Sequence, residues 1–132
     1  MVLTAAVPDV EEILAAVRRA CLALPEVVER PSHGTPSWFV RSRKTFVSFA
    51  DRVHGDPHTA IWAAAPPGVT ALLVAAEPRR FFVPPYVGHR GWLGLRLDLD
   101  GADALDEVEL AGIARDAFRT IAPKTLARLL DA

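Results

Sequence analysis

Residues Trp92 to Leu99 read Trp-Leu-Gly-Leu-Arg-Leu-Asp-Leu. Successive side chains of a strand point to opposite faces, so leucines at 93, 95, 97 and 99 form one continuous apolar face. Those leucines must face a core. Trp92 and Arg96 then share the opposite face. This octet constrains the fold more than any other stretch, because it demands a sheet with one covered side.

Other strands are available upstream. Ser37–Arg41, Thr45–Ala50 and Thr59–Ala65 are short aromatic or β-branched runs separated by turn residues. Arg43-Lys44 marks a hairpin tip and Asp56-Pro57 another turn. Helices frame these strands. Asp9 to about Ala23 has capping-box spacing at Asp9 and Glu12, and an apolar stripe of Val10, Ile13, Leu14, Val17, Cys21 and Leu24. Pro25 ends it. Pro67 to about Ala76 reads as a short helix with Val69, Leu72, Leu73 and Ala76 on one face. A second long helix runs from Asp103 or Asp106 to Ala122, and a last short one starts at Pro123. Helices on one face of an antiparallel sheet make a two-layer α+β sandwich. The uncovered face is expected to be partly open to solvent.

The chain has 132 residues, the size of one domain, and 51% hydrophobic residues, enough for an ordinary core. No apolar run approaches the roughly 20 residues that span a membrane. The start lacks the pattern of a signal peptide. The single cysteine, Cys21, excludes an internal disulfide and fits a reducing cytoplasm. Fifteen basic and sixteen acidic residues give a net charge of −1, unlike proteins that coat nucleic acid through bulk charge. Distribution says more than the total. Residues 30–50 and 78–97 contain no acid, whereas residues 98–116 hold seven. A bipolar molecule is expected, unless the pattern only reflects acids collecting on helices.

Two segments mix Pro, Gly and aromatics with His and Arg. One is Arg30-Pro-Ser-His-Gly-Thr-Pro-Ser-Trp38; the other runs from Arg79 to Trp92. Such stretches read as rigid loops, where binding residues concentrate. Leu24-Pro25-Glu26-Val27, Ser32-His33-Gly34-Thr35-Pro36-Ser37, Phe81-Phe82-Val83-Pro84-Pro85-Tyr86-Val87-Gly88 with Gly91-Trp92, and Ala122-Pro123-Lys124 together resemble the MmcQ/YjbR-like proteins over nearly the whole length. That resemblance implies a fold similar to the frataxin-like sandwich and a double-wing DNA-binding arrangement. Two departures are visible. Phe118 stands where a bulkier aromatic is expected, and Lys124 stands alone where a basic pair is common.

For DNA, Arg41, Arg43 and Lys44 at one hairpin and Arg79, Arg80, Arg90 and Arg96 near the second segment are the expected phosphate contacts. Trp38, Tyr86 and Trp92 are candidates for stacking on bases of a single strand. Ser32, His33, Thr35, Ser37, His89 and Lys124 complete the set of candidate ligand residues. The alternative reading of all of these is packing and solvation. Gly88-His-Arg-Gly-Trp-Leu-Gly94 has glycines three apart, yet no Lys-Ser/Thr follows and it enters a strand, so it is neither a P-loop nor a dinucleotide fingerprint. A plain tight turn is the simpler reading.

Catalytic signals are weak. Cys21 lies on an apolar stripe, and Ser32 and His33 are sequence neighbours whose side chains diverge. Asp51, His54, Asp56 and His58 match no zinc spacing. No enzyme, metal or cofactor is implied. Three readings remain open. One is a DNA-binding protein. Another is a binder of a small anionic metabolite, with an apolar pocket between Ser32–Ser37 and Phe81–Trp92 on which His33, Tyr86 and Arg90 converge. The third is a protein-interaction domain that uses an exposed sheet face carrying Trp92. A monomer or weak homodimer is expected, with no membrane partner.

Overall fold

A computed structural model describes residues 7–131. The first six residues, on which part of the signal-peptide expectation falls, lie outside the described residues. Helix α1 (Val10–Leu22) starts where expected: Asp9 accepts a hydrogen bond from the Glu12 amide at 2.8 Å. A cap of this kind is worth about 1 kcal/mol. Ile13, Leu14, Val17 and Cys21 on its stripe are buried. Strands β1 (Val27–Ser32), β2 (Thr35–Val40), β3 (Lys44–Asp51), β4 (Thr59–Ala63), β5 (Phe81–Phe82) and β6 (Leu93–Arg96) follow, with helix α2 (Val69–Ala76) between β4 and β5. Helices α3 (Glu107–Ile121) and α4 (Lys124–Ala127) end the described fold.

The strands form one six-stranded antiparallel sheet in the order β1-β2-β3-β4-β6-β5. Helices α1 and α3 pack against each other and against the sheet. Val47, Ile61, Ala63, Leu93 and Leu95 join them in the core, and Leu97 and Leu99 stay buried beyond the end of β6. The two-layer α+β sandwich expected from the leucine alternation is thus the observed architecture. Among the described residues, no helix is long and apolar enough to cross a membrane.

Four departures are informative. The first segment is not a loop. Val27–Ser32 is an edge strand paired with β2, and His33-Gly34 is the tip of that hairpin. Pro31 hides the strand in the sequence, but an edge strand tolerates proline. Between β2 and β3 the register slips: Trp38 faces Val47, yet Phe39 faces Thr45. The skipped residue, Phe46, is fully buried and meets the Phe118 ring edge-on at 5.8 Å. Phe118 therefore fills the site expected to hold a larger aromatic. The apolar face assigned to α2 is also different. Leu72 is 72% exposed, while Thr70 is buried and donates to the Gly91 carbonyl at 2.7 Å. Finally, folding joins part of the expected basic region to the acidic one. Arg79 pairs with Asp100 and Asp103, and Arg80 with Glu77 and Glu109.

Candidate functional site: a groove on the open sheet face

Strand alternation leaves Ser48 and Ala50 of β3, Ala60 and Trp62 of β4, and Gly94 of β6 on the face away from the helices. Most of these are small. The face is therefore a trough rather than a flat surface. Its walls are two irregular segments, Arg52–His58 and Val83–Gly91. Together they enclose a groove of about 1010 Å³. Lining residues include Lys44, Thr45, Ser48 and Ala50, so the groove follows β3 from its first residue nearly to its last. At about 3.3 Å per residue that is roughly 20 Å.

The groove brings the two distinctive segments together. Ser32, His33 and Thr35 reach it from the β1–β2 hairpin, and Tyr86, Val87, Arg90 and Trp92 from the second segment. Thr120 and Ile121 close it beside the end of α3. Trp62 forms part of the wall. His54 stacks on Trp62, with ring centres 6.3 Å apart and planes 18° apart, and meets Tyr86 edge-on at 5.1 Å. Tyr86 is 70% exposed. A smaller cavity of about 190 Å³ lies beyond His54 and Trp62, against Phe82, Val83 and Pro85. Three lining residues, His33, His54 and Tyr86, hold left-handed backbone at φ of 53°, 52° and 65°. Such conformations are rare for residues with side chains, most of all for a bulky one such as Tyr; His33 takes it as part of the tight His33-Gly34 hairpin turn.

Charge is distributed unevenly between groove and surround. Lys44, Arg90, His33 and His54 line the groove, and no carboxylate does. Among the described residues, Arg43, Lys44, Arg90 and Lys124 make no ion pair with an acid, whereas Arg41 is paired with Glu26. The Arg79 guanidinium is held above its ordinary range by the hydrogen bonds it donates to Asp100 and then Asp103. Burial pulls the Arg80 value down, but its bonds to Glu77 and Glu109 outweigh burial and the net shift is upward. Arg96 donates to the Pro78 and Arg79 carbonyls and covers the Phe82 ring at 4.8 Å. The seven residues expected to contact phosphates thus divide. Arg43, Lys44 and Arg90 keep their charge available; Arg41, Arg79, Arg80 and Arg96 are engaged within the fold.

The candidate ligand residues divide similarly. Trp38 cannot stack on a base: it is 0% exposed on the helix side, and its indole N–H donates to Glu29 at 3.0 Å. Ser37 is fully buried against Ser48. Trp92 is only 7% exposed, so it does not itself present the uncovered apolar surface expected of it. His89 and Lys124 are exposed outside the groove lining. Thr35 lines the groove but spends its hydroxyl on the Phe49 carbonyl. The glycine turn is structural. Gly91 has φ of 83°, and a Cβ on Gly94 would fall 2.5 Å from the Phe82 ring.

His54, Trp62 and Ser48 were not singled out from the sequence as binding residues. Alternation within Thr59–Ala65 was the available signal for Trp62, since it opposes Ile61. Within the expected loop cluster, His58 Nδ1 lies 2.9 Å from Asp98, and Asp51 accepts from Thr59 at 2.8 Å. Among the described residues, no three His, Cys, Asp or Glu side chains gather as a metal site would require. Cys21 is buried, and burial pushes its thiol well above the ordinary range.

Fold and site together define a class: a two-layer α+β protein whose open sheet face carries a basic, aromatic groove. The YjbR family model matches residues 22–120, three quarters of the chain, and the protein belongs to the YjbR family. Its fold is similar to the crystal structure of Deinococcus radiodurans protein DR2400, a protein with the family-model domain DUF419. That likeness has a TM-score of 0.66 at 14% identity and covers 89% of this chain and 87% of the other. No curated protein matches the chain.

Proposed function

We propose that this YjbR-family protein is a binding protein, not a catalyst, and that it holds an anionic ligand in the open-face groove. One observation carries the reading: every ionisable side chain lining the groove, apart from the Tyr86 phenol, is a lysine, arginine or histidine. A carboxylate-free cleft with low-dielectric walls concentrates a positive field on anions. The lone buried Cys21 suits a reducing, cytoplasmic setting. Nucleic acid is a second form of such a ligand. It is favoured by Arg43 beside Lys44 at the β2–β3 turn and by the exposed Tyr86 ring, which suit a single strand better than a duplex.

The test uses calorimetry with pyrophosphate and fluorescence anisotropy with labelled single-stranded and duplex DNA, at low and near-physiological salt. Wild type is expected to bind pyrophosphate or single-stranded DNA, more weakly as salt rises. Lys44→Ala/Arg90→Ala is expected to lose most of that affinity, and Arg79→Ala/Arg80→Ala to keep it. Absence of binding to either probe at low salt would overturn the anion reading. Loss in the Arg79/Arg80 variant with retention in Lys44/Arg90 would move the site out of the groove.

A further inference from the structure

We infer that the groove is built for a nucleotide-class ligand, in which a planar heteroaromatic ring and a phosphate group are joined by a spacer. This rests on the anion reading above and adds the aromatic half of the ligand. The two halves of the site occupy different lengths of β3. Lys44 stands at its first residue, whereas Trp62 pairs with Ser48, four residues along. Four residues of strand separate the two positions by about 13 Å, and Lys44, paired with the core residue Val40, enters the groove at its end, which Thr120 and Ile121 also line. The register also places Leu93 opposite Ala63, so Trp92 and the turn carrying Arg90 enter at the Lys44 end. Both the lysine and the arginine that line the groove thus belong to the part of it that begins at Lys44.

The middle of the groove has a different chemistry. Trp62, His54 and Tyr86 form a contiguous set of rings, with His54 stacked on Trp62 and Tyr86 standing edge-on and mostly exposed. Left-handed backbone at His54 and Tyr86 holds both residues on irregular segments that face each other. A bare phosphate leaves this aromatic set unused, and a neutral ring leaves Lys44 and Arg90 unused. A nucleoside diphosphate meets both, with its base against the exposed Tyr86 ring at the edge of this set and its diphosphate towards Lys44 and Arg90. Base–aromatic contacts add to affinity without demanding a particular base, because every base has a π-face.

Calorimetry with ADP, adenosine and pyrophosphate, three probes that share parts, tests the inference. ADP is expected to bind at least about tenfold tighter than either part, the order that one base stacked on an aromatic ring supplies. Tyr86→Ala is expected to weaken ADP several-fold and leave pyrophosphate unchanged; Lys44→Ala is expected to weaken both. Neither residue is buried, and a thermal melt of each variant confirms that the fold is kept. Equal affinity for ADP and pyrophosphate would overturn the inference while leaving the anion reading intact. Equal affinity for ADP and adenosine would overturn both. Binding of a trinucleotide with none of ADP would also overturn it, and would assign the groove to a polynucleotide.

Discussion

Glu29 shows how one side chain acquires its role only in space. It sits on the edge strand β1, yet its carboxylate accepts from Arg18 Nε and Nη2 at 2.9 Å each and from the buried Trp38 indole N–H at 3.0 Å. The Arg18 guanidinium is held above its ordinary range chiefly by this bond. The pair with Arg18 is partly exposed and contributes little. Trp38 is different, because a buried donor without a partner costs about 1–3 kcal/mol. Glu29→Ala is therefore expected to lower stability by about that amount in urea unfolding, and Arg18→Ala by much less. Trp38 looked like a base-stacking residue because an aromatic beside prolines and a glycine resembles a loop anchor. Only its pairing with Glu29 and Val47 puts it on the covered face.

Elements were legible in proportion to how local their causes are. Helix α1 is written in its cap and stripe, and α3 in its N-cap, where Asp106 accepts from the Val108 amide at 2.9 Å. The edge strand β1 was not legible, because its pairing with β2 is the reason it is a strand and Pro31 argues against it locally. The segments around β5 and the loop before α3 are joined by charge, which no local pattern shows. Arg79 holds the Asp100 carboxyl below its ordinary value of 3.8. A carboxyl lowered on folding stabilises the fold above its unfolded value and ceases to do so as pH falls through the lowered folded value. The difference in melting temperature between wild type and Arg79→Ala is therefore expected to be small but constant at neutral pH, to start falling as pH drops to the ordinary value of 3.8, and to vanish below the lowered folded value. A difference that grows on acidification would contradict this linkage.

For the whole molecule, a net charge of −1 and seven candidate cations gave conflicting signals about nucleic acid. Folding reduces the conflict by leaving three of the seven, Arg43, Lys44 and Arg90, outside internal partnerships. The salt dependence of single-stranded DNA binding reads that number. Three phosphate contacts give a slope of log affinity against log salt of about −2, and seven give about −5. A slope near −2 is the expected result. A slope near −5 would require Arg41, Arg79, Arg80 and Arg96 to abandon their internal partners on binding.

The sequence by itself determined the class of fold. A leucine every second residue from 93 to 99 needs a covered sheet face, and two capped, striped helices supply the cover, all through interactions a few residues long. It also marked both segments that line the groove. Which of their side chains reach a ligand was decided only by tertiary structure. A single skipped residue at Phe46, one edge pairing at β1 and a handful of ion pairs sort the candidates into core, paired surface and open groove. Each of those depends on partners distant along the chain, set by register and by charges that meet only after folding.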